Sequence, residues 1–324
     1  MNLAHLLRRS ANWLPERPAL AVGPRPVATY RELARRAARL AAGMRAHLGL
    51  AQGDRVALAM RNCPEFWEAL FACWHAGLIA VPMNAKLHAK EFAYILGNAR
   101  ARLCFVTPDL AGSITAVPAI DVQTDDWRSL DADPAPIADV APDDPAWLFY
   151  TSGTTGQPKG AVLTHRNLLF MTQAYYADVD KLVPGDAIVH AAPLSHGSGL
   201  FGLPHFATGA VNVIPESGHF EPAEIFALVA HYPGTSFFAA PTMIVRLLAS
   251  EAAGGADLRN LKTISYGGAP MYVADSLRAI ERFGPRLYQI YGQGESPMTT
   301  AGLPQSEHAA RAHLETCGLA RTGV

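Results

Sequence analysis

Apolar positions over residues 29–48 repeat with the period of a helix: Leu33, Ala37, Leu40, Ala41, Met44 and Leu48 fall on one face. Thr29, followed by Glu32, supplies a capping-box pattern at its start, and Gly49 marks its end. The apolar run 55–60 reads as a buried strand. A helix over 64–75 follows, with Asn62 as its cap, Pro64 in its first turn and Gly77 past its end. Short apolar runs at 79–81, 102–106 and 146–150 then alternate with further helical patterns. Beyond residue 160, strands are expected at 186–191, 211–214, 236–239, 262–266 and 286–291. Helices are expected at 222–230, 241–250 and 271–283. No short internal repeat of the solenoid type interrupts this order. The alternation predicts a doubly wound α/β fold with mostly parallel sheets covered on both faces.

The stretch 131–145, DADPAPIADVAPDDP, is rich in Asp, Ala and Pro and reads as an exposed linker or long loop. At 324 residues the chain suggests two domains of about 100–200 residues each. Half the residues are hydrophobic and 17% are charged, which excludes a disordered scaffold. A net charge of −1 lacks the basic surplus of a nucleic-acid binder. The cysteines at 63, 73, 104 and 317 form no Cys-x-x-Cys pair, and three sit beside apolar neighbours, as in Leu103-Cys104-Phe105, so buried structural thiols are expected rather than ligands. Residues 1–9 carry Arg8 and Arg9 without a long apolar core, so they read as a first helix rather than a signal peptide. No apolar run approaches the roughly 20 residues of a transmembrane helix, and a soluble, cytoplasmic protein is expected. Residues 315–324 end without a helical pattern or polar tail, as either a loop end or a cut inside a larger protein would.

The densest chemical signal is Tyr150-Thr151-Ser152-Gly153-Thr154-Thr155-Gly156-Gln157-Pro158-Lys159-Gly160. Its glycines let successive backbone N–H groups turn toward an anion, its hydroxyls add donors, and Lys159 brings a positive charge suited to polyphosphate. An apolar strand precedes it, and Gly160-Ala161-Val162-Leu163 follows like a strand. A Walker A loop would instead place Gly-Lys-[Ser/Thr] at the opening of a helix.

This segment resembles the signature loop of the adenylate-forming superfamily, which includes acyl-CoA synthetases, firefly-type luciferases and the adenylation domains of peptide synthetases. Three further segments match in order: His196 in Pro193-Leu194-Ser195-His196-Gly197, then Tyr266-Gly267-Gly268-Ala269-Pro270, then Tyr291-Gly292-Gln293-Gly294-Glu295. The resemblance runs from about residue 10 to residue 324.

The resemblance implies that a carboxylate attacks the α-phosphate of ATP to give an acyl-adenylate, which coenzyme A converts to a thioester. Thr151, Ser152, Gly153, Thr154, Thr155, Gly156 and Lys159 would hold the phosphates. Gly267, Gly268, Ala269 and Pro270 would pack beside adenine, and Tyr291, with Gly292, Gln293 and Gly294 beyond it, would stack on the base. Glu295 would hold Mg²⁺, and His196 would lie between the acyl group and the α-phosphate. Thr151, Lys159, His196 and Glu295 are thus the implied catalytic set, with ATP/AMP, Mg²⁺ and CoA as cofactors and co-substrate. The implied fold is the family's N-terminal domain, two packed doubly wound αβα subdomains, divided here as 1–54 plus 210–324 and 55–209.

Two departures stand out. Gly294 takes the place of the family's usual threonine, so a phosphate-facing hydroxyl is missing, which Thr299, Thr300 or a water can replace. Family members also continue through a ribose-binding aspartate, a small β-barrel and a C-terminal lid carrying the adenylation lysine. The resemblance therefore implies that residues 1–324 are a catalytically incomplete N-terminal core.

Other classes fit less well. His196-Gly197-Ser198-Gly199 suggests an oxyanion loop, but a serine hydrolase needs a Gly-x-Ser-x-Gly elbow that is not present. Gly292-Gln293-Gly294 meets Pro297 where a dinucleotide fingerprint requires a third glycine. A non-catalytic nucleotide-binding module and an amino-acid-selecting adenylation domain remain as alternatives. Against the latter, residues 196–207 contain no Asp or Glu to clamp an α-amino group. An unaminated fatty or aromatic acid is favoured, with Gly199, Leu200, Phe201, Phe237, Phe238, Ala239 and Ala240 either lining its apolar pocket or packing the core.

Overall fold

Two sheets, built from alternating strands and helices, organise the computed structural model, which describes residues 1–151 and 157–324. The chain opens with α1 (Ala4–Trp13), then β1 (Pro18–Val22) and β2 (Arg25–Thr29). At the start of α2 (Tyr30–Ala46), Thr29 Oγ1 accepts from the Glu32 amide at 3.2 Å, and the Glu32 carboxylate accepts from the Thr29 amide at 2.8 Å. The expected capping box is therefore formed, and Leu33, Ala37, Leu40, Ala41 and Met44 are buried beneath it. Then come β3 (Arg55–Ala59), α3 (Pro64–His75), β4 (Ile79–Met83), α4 (Ala89–Ala99) and β5 (Ala101–Val106). After β6 (Ala119–Asp121) and the single turn α5 (Asp125–Arg128), β7 (Pro145–Thr151) and β8 (Lys159–Thr164) complete a sheet of order β6-β5-β3-β4-β7-β8. Its pairs are parallel except β7–β8, which is antiparallel.

The cap of α3 is Cys63 rather than Asn62, with an extended backbone and no side-chain cap bond. Pro64 at the first helical position needs no N–H partner, so the missing side-chain cap costs little there. Phe66, Trp67, Phe71 and Trp74 are all buried on this helix.

The Asp/Ala/Pro-rich stretch is a loop inside the first compact unit, not a linker. Its Ala138 amide donates to the His75 carbonyl at 2.8 Å, and its Ala138 carbonyl accepts from Asn2 Nδ2 at 3.0 Å.

The second sheet draws on α6 (His165–Asp178), β9 (Ala187–Val189), α7 (Gly197–Thr208), β10 (Val211–Ile214) and α8 (Pro222–His231). It continues through β11 (Thr235–Ala239), α9 (Pro241–Ala249), β12 (Leu261–Tyr266), α10 (Val273–Phe283), β13 (Leu287–Gln293), β14 (Ser296–Leu303) and β15 (Leu319–Ala320). Its nine strands run β15-β14-β13-β12-β11-β9-β10-β1-β2, parallel from β1 to β13, with β14 and β15 antiparallel at one edge. Both sheets are dominated by parallel pairing and neither closes into a barrel.

One compact unit comprises Met1–Glu16 and Ala28–Leu169, the other Arg17–Val27 and Phe170–Val324. This replaces the expected division at 54 and 209. Packing of α2 on α3 keeps residues 28–54 in the first unit, and pairing of β9 with β10 and β11 draws its neighbourhood into the second.

The C-terminal residues, which sequence leaves unclosed, are tied down. β15 pairs with β14, and the Arg321 side chain is 1% exposed, 3.2 Å from the Asp178 carboxylate. Cys73 and Cys104 are buried as expected, and burial pushes the Cys104 thiol up to about 12. Cys63 is half-buried and Cys317 is exposed. No helix among the described residues is long and apolar enough to cross a membrane.

Candidate functional site

Thr151 ends β7 and Lys159 begins β8, and the two are register partners in the antiparallel ladder. Cross-strand partners carry their side chains on one face of a sheet. Ser152, Gly153, Thr154, Thr155 and Gly156 lie outside the described residues. One step back from the loop, Tyr150 pairs with Gly160, and its hydroxyl donates to Asn98 Oδ1 at 2.6 Å. A Cβ on Gly160 would stand 2.9 Å from the Tyr150 ring, so glycine is what lets the ring lie over the strand. Lys159 is exposed.

His196 is the N-cap residue of α7, and its Nδ1 lies 2.8 Å from Ser195 Oγ. Burial lowers its pKa, so the imidazole is neutral at neutral pH. The helix start is fixed by a buried chain that sequence reasoning missed: His190 Nδ1 lies 2.9 Å from Ser198 Oγ, and His190 Nε2 lies 2.9 Å from Asn212 Oδ1. Burial holds His190 at about 4. It is therefore neutral, with Nε2–H donating to Asn212 and Nδ1 accepting from Ser198.

The apolar residues expected around the acid separate into two groups. Phe201 and Phe238 meet edge to face, with ring centroids 6.2 Å apart. A Cβ on Gly197 would meet the Phe238 ring at 3.1 Å and Met298 Sδ at 3.3 Å, so these side chains form one apolar wall beside His196. Phe237 and Ala239 instead belong to the core of the second unit. The helical form of residues 197–208 had no sequence signal, because α7 is apolar all round and carries Pro204 inside it.

Gly268, Ala269 and Pro270, after β12, and Tyr291 and Gly292, in β13, line a single cavity of about 550 Å³. Gln289 contributes to its lining, and residues 314–317 form a further wall. Gly268 has φ +84°, a left-handed conformation that favours glycine, and a Cβ on Gly267 would stand 2.3 Å from the Ile290 carbonyl oxygen. The glycine pair thus lets the turn press against β13. The Tyr291 side of the cavity is open, with Tyr291 44% exposed.

Gln293 ends β13 and Gly294 and Glu295 form the turn to β14; none of the three is among the cavity's lining residues. Glu295 is exposed. Of the hydroxyls considered in place of the one Gly294 lacks, Thr299 is buried, with Oγ1 2.8 Å from Ser296 Oγ. Ser296, next to Glu295, is the hydroxyl that sequence reasoning overlooked.

Behind this turn Met298 has φ +59°, an unusual conformation for a side chain of its size. Its carbonyl accepts from Arg321 Nη1, and Arg321 Nη2 donates to the Ala174 carbonyl at 2.8 Å. Among the described residues no group of three His, Cys, Asp or Glu side chains is placed to hold a metal ion. An ion at Glu295 would need most of its ligands from substrate and water, as Mg²⁺ bound to nucleotide phosphates takes them.

The family model described as AMP-binding enzyme matches residues 7–324. Feruloyl-CoA synthase of an Amycolatopsis species is 37% identical over 272 residues, covering 83% of this chain and 54% of the relative. The fatty acid–[acyl-carrier-protein] ligase ScoC of Streptomyces coeruleorubidus is 32% identical over 309 residues, covering 91% of this chain and 58% of the relative. The chain thus spans little more than half the length of these curated relatives. The crystal structure of the N-terminal domain of FACL13 from Mycobacterium tuberculosis superposes with a TM-score of 0.88 at 23% identity, covering 99% of this chain and 83% of that one. That likeness concerns the fold alone. With the family model spanning nearly every residue, the chain belongs to the AMP-binding enzyme family.

Proposed function

We propose that these residues form the nucleotide- and acid-binding core of an AMP-forming acid–thiol ligase. Its substrates are a fatty or aromatic carboxylic acid, ATP and coenzyme A. The observation that carries this reading is the cavity of about 550 Å³ walled by the motif segments 268–270 and 291–292. Its size suits a purine nucleoside, with Tyr291 offering a stacking face.

In the proposed reaction a carboxylate oxygen attacks the α-phosphorus of ATP. The bond to the β-bridging oxygen breaks, and pyrophosphate leaves with the electron pair. The thiolate of coenzyme A then attacks the acyl carbon, and AMP departs. Lys159 and the hydroxyls of Thr151, Ser152, Thr154 and Thr155 are assigned to the leaving phosphates, where hydrogen-bond donors would meet developing charge. Gly153 and Gly156 are assigned backbone contacts to the same phosphates. His196, as a neutral imidazole beside the apolar wall, is assigned to orient the reacting carboxylate.

Glu295 is assigned to Mg²⁺. It makes no ion pair among the described residues, and a lone hard carboxylate suits an ion that keeps phosphate and water ligands. Bound there, Mg²⁺ would offset negative charge on the phosphates.

The wall of Phe201, Phe238 and Met298 supports an apolar acid, as do the names of relatives that act on feruloyl and fatty acyl groups. The test is pyrophosphate release by a protein of the relatives' full length containing these residues. Ferulate, benzoate, a long-chain fatty acid and a set of amino acids are offered in turn. Release with unaminated acids is expected; release with amino acids alone would move the protein to the amino-acid-selecting class.

A further inference from the structure

Tyr266, at the end of β12, is 1% exposed, and its hydroxyl oxygen lies 2.9 Å from Gln289 Oε1 and 3.0 Å from His308 Nε2. Gln289 Nε2 donates to the Thr316 carbonyl at 3.1 Å, and His308 Nδ1 lies 2.9 Å from the Pro304 carbonyl. Gln289 and Thr316 both line the cavity assigned to the nucleoside. His308 is 3% exposed and belongs to no motif of the family reading; Tyr266 opens the 266–270 motif, which assigns its hydroxyl no role.

Counting protons along this chain gives an unexpected result. The Thr316 carbonyl only accepts, so the Gln289 amide must present Nε2 to it and Oε1 to Tyr266. The Pro304 carbonyl only accepts, so His308 must carry its proton on Nδ1. A neutral imidazole then turns a bare Nε2 toward Tyr266. Its hydroxyl has one proton and faces two acceptors, Gln289 Oε1 and His308 Nε2. Neutral, the chain is one proton short; with both ring nitrogens protonated, every contact is satisfied.

We propose that Tyr266 and His308 are positioning residues for the nucleoside cavity, holding Gln289 and through it the wall at 314–317 most firmly when His308 is protonated. This rests on the nucleotide reading of the cavity. The groups around the imidazole are Tyr266 from β12, Gln289 beyond it from β13, and the Pro304 carbonyl. Ser276 on α10 lies beside Tyr266 and can give a proton to the phenolic oxygen, which leaves the count unchanged. On the adjoining short helices Glu307 and His313 pair with each other at 2.8 Å. Burial lowers the His308 pKa, so the protonated state is filled only on the acid side of the ordinary histidine range. The affinity of the cavity for a nucleoside therefore rises as pH falls.

The test is adenosine binding to the 324-residue chain between pH 7.5 and 5.5, by calorimetry, together with hydrogen exchange of the 314–318 amides. Adenosine has no group that titrates in this range. Expected is an affinity gain of about three- to tenfold on acidification, the worth of one or two hydrogen bonds. In Tyr266→Phe the gain is lost, binding weakens and the 314–318 amides exchange faster. In His308→Gln a permanent donor faces Tyr266, so binding is firm and independent of pH. An unchanged pH profile and unchanged exchange in Tyr266→Phe would overturn the proposal. Absence of adenosine binding in every protein, with exchange still responding to Tyr266 and pH, would overturn the nucleotide reading and leave the proton relay standing.

Discussion

Thr151 and Lys159 are antiparallel register partners, so the two ends of the signature loop are held together by the last ladder step of β7 and β8. A lysine on a strand is a different device from the helix-borne lysine of a Walker loop. Its backbone is fixed by pairing, and its charge is held on the same face as the Thr151 hydroxyl. Gly160 and the Tyr150 ring above it, anchored on Asn98, brace that arrangement one residue behind.

Glu295→Gln keeps the shape of the side chain and removes its charge. If Glu295 contacts Mg²⁺, ATP affinity in this variant should lose most of its dependence on Mg²⁺, while adenosine affinity stays as it was. Calorimetric titrations with and without Mg²⁺ decide the matter. A Glu295→Gln protein with full Mg²⁺ dependence would return the ion to other ligands.

Arg321 is nearly sealed from solvent, paired with Asp178 and bonded to the carbonyls of Met298 and Ala174. Replacing it with Met leaves the half-buried Asp178 carboxylate without its cation, held by Thr322 alone, and the left-handed Met298 backbone without its donor. A hydrogen bond to a charged group is worth about 1.5–3 kcal/mol. Urea unfolding of Arg321→Met should show a loss of that order. A loss below about 1 kcal/mol, typical of surface pairs, would mean that the C-terminal docking contributes little.

Burial holds His190 at about 4 and His205 at about 3, both below the ordinary 6.5. Below pH 6.5 the unfolded chain therefore takes up protons that the folded chain refuses until about pH 4 or lower. Stability must fall as pH drops through this window, by about 1.4 kcal/mol per pH unit for each such histidine. Urea midpoints at pH 7 and pH 5 measure the slope. His205→Leu should reduce it by about one proton; an unchanged slope would place the uptake elsewhere.

Much of this was legible in sequence, for reasons that particular residues make plain. The Thr29–Glu32 capping box is local and formed where expected. Strand β10 and helix α3 are largely apolar segments bounded by Gly and Pro, and their limits were readable to within a residue or two. What escaped was non-local. The helix α7 has no amphipathic stripe, and β14 mixes Thr, Gly and Pro without the alternation of a strand signal. Arg321 looked like part of a loose end because Asp178 is 143 residues away. The same holds for the site. The turn at 267–270 and Tyr291 announced themselves by motif and meet at one cavity, whereas Gln289, Thr316, Tyr266 and His308 join it through contacts that no spacing reveals.

In the proposed function ATP binds with Lys159 against the phosphates and the base apart from it. Calorimetric binding of ATP, AMP and adenosine to the wild-type chain and to Lys159→Ala tests it most directly. A charged hydrogen bond is worth about 1.5–3 kcal/mol, so ATP affinity should fall by roughly tenfold to a hundredfold in the variant. AMP affinity should fall less, and adenosine affinity should not move. Equal losses for all three ligands, or no ATP binding by the wild-type chain, would contradict the account.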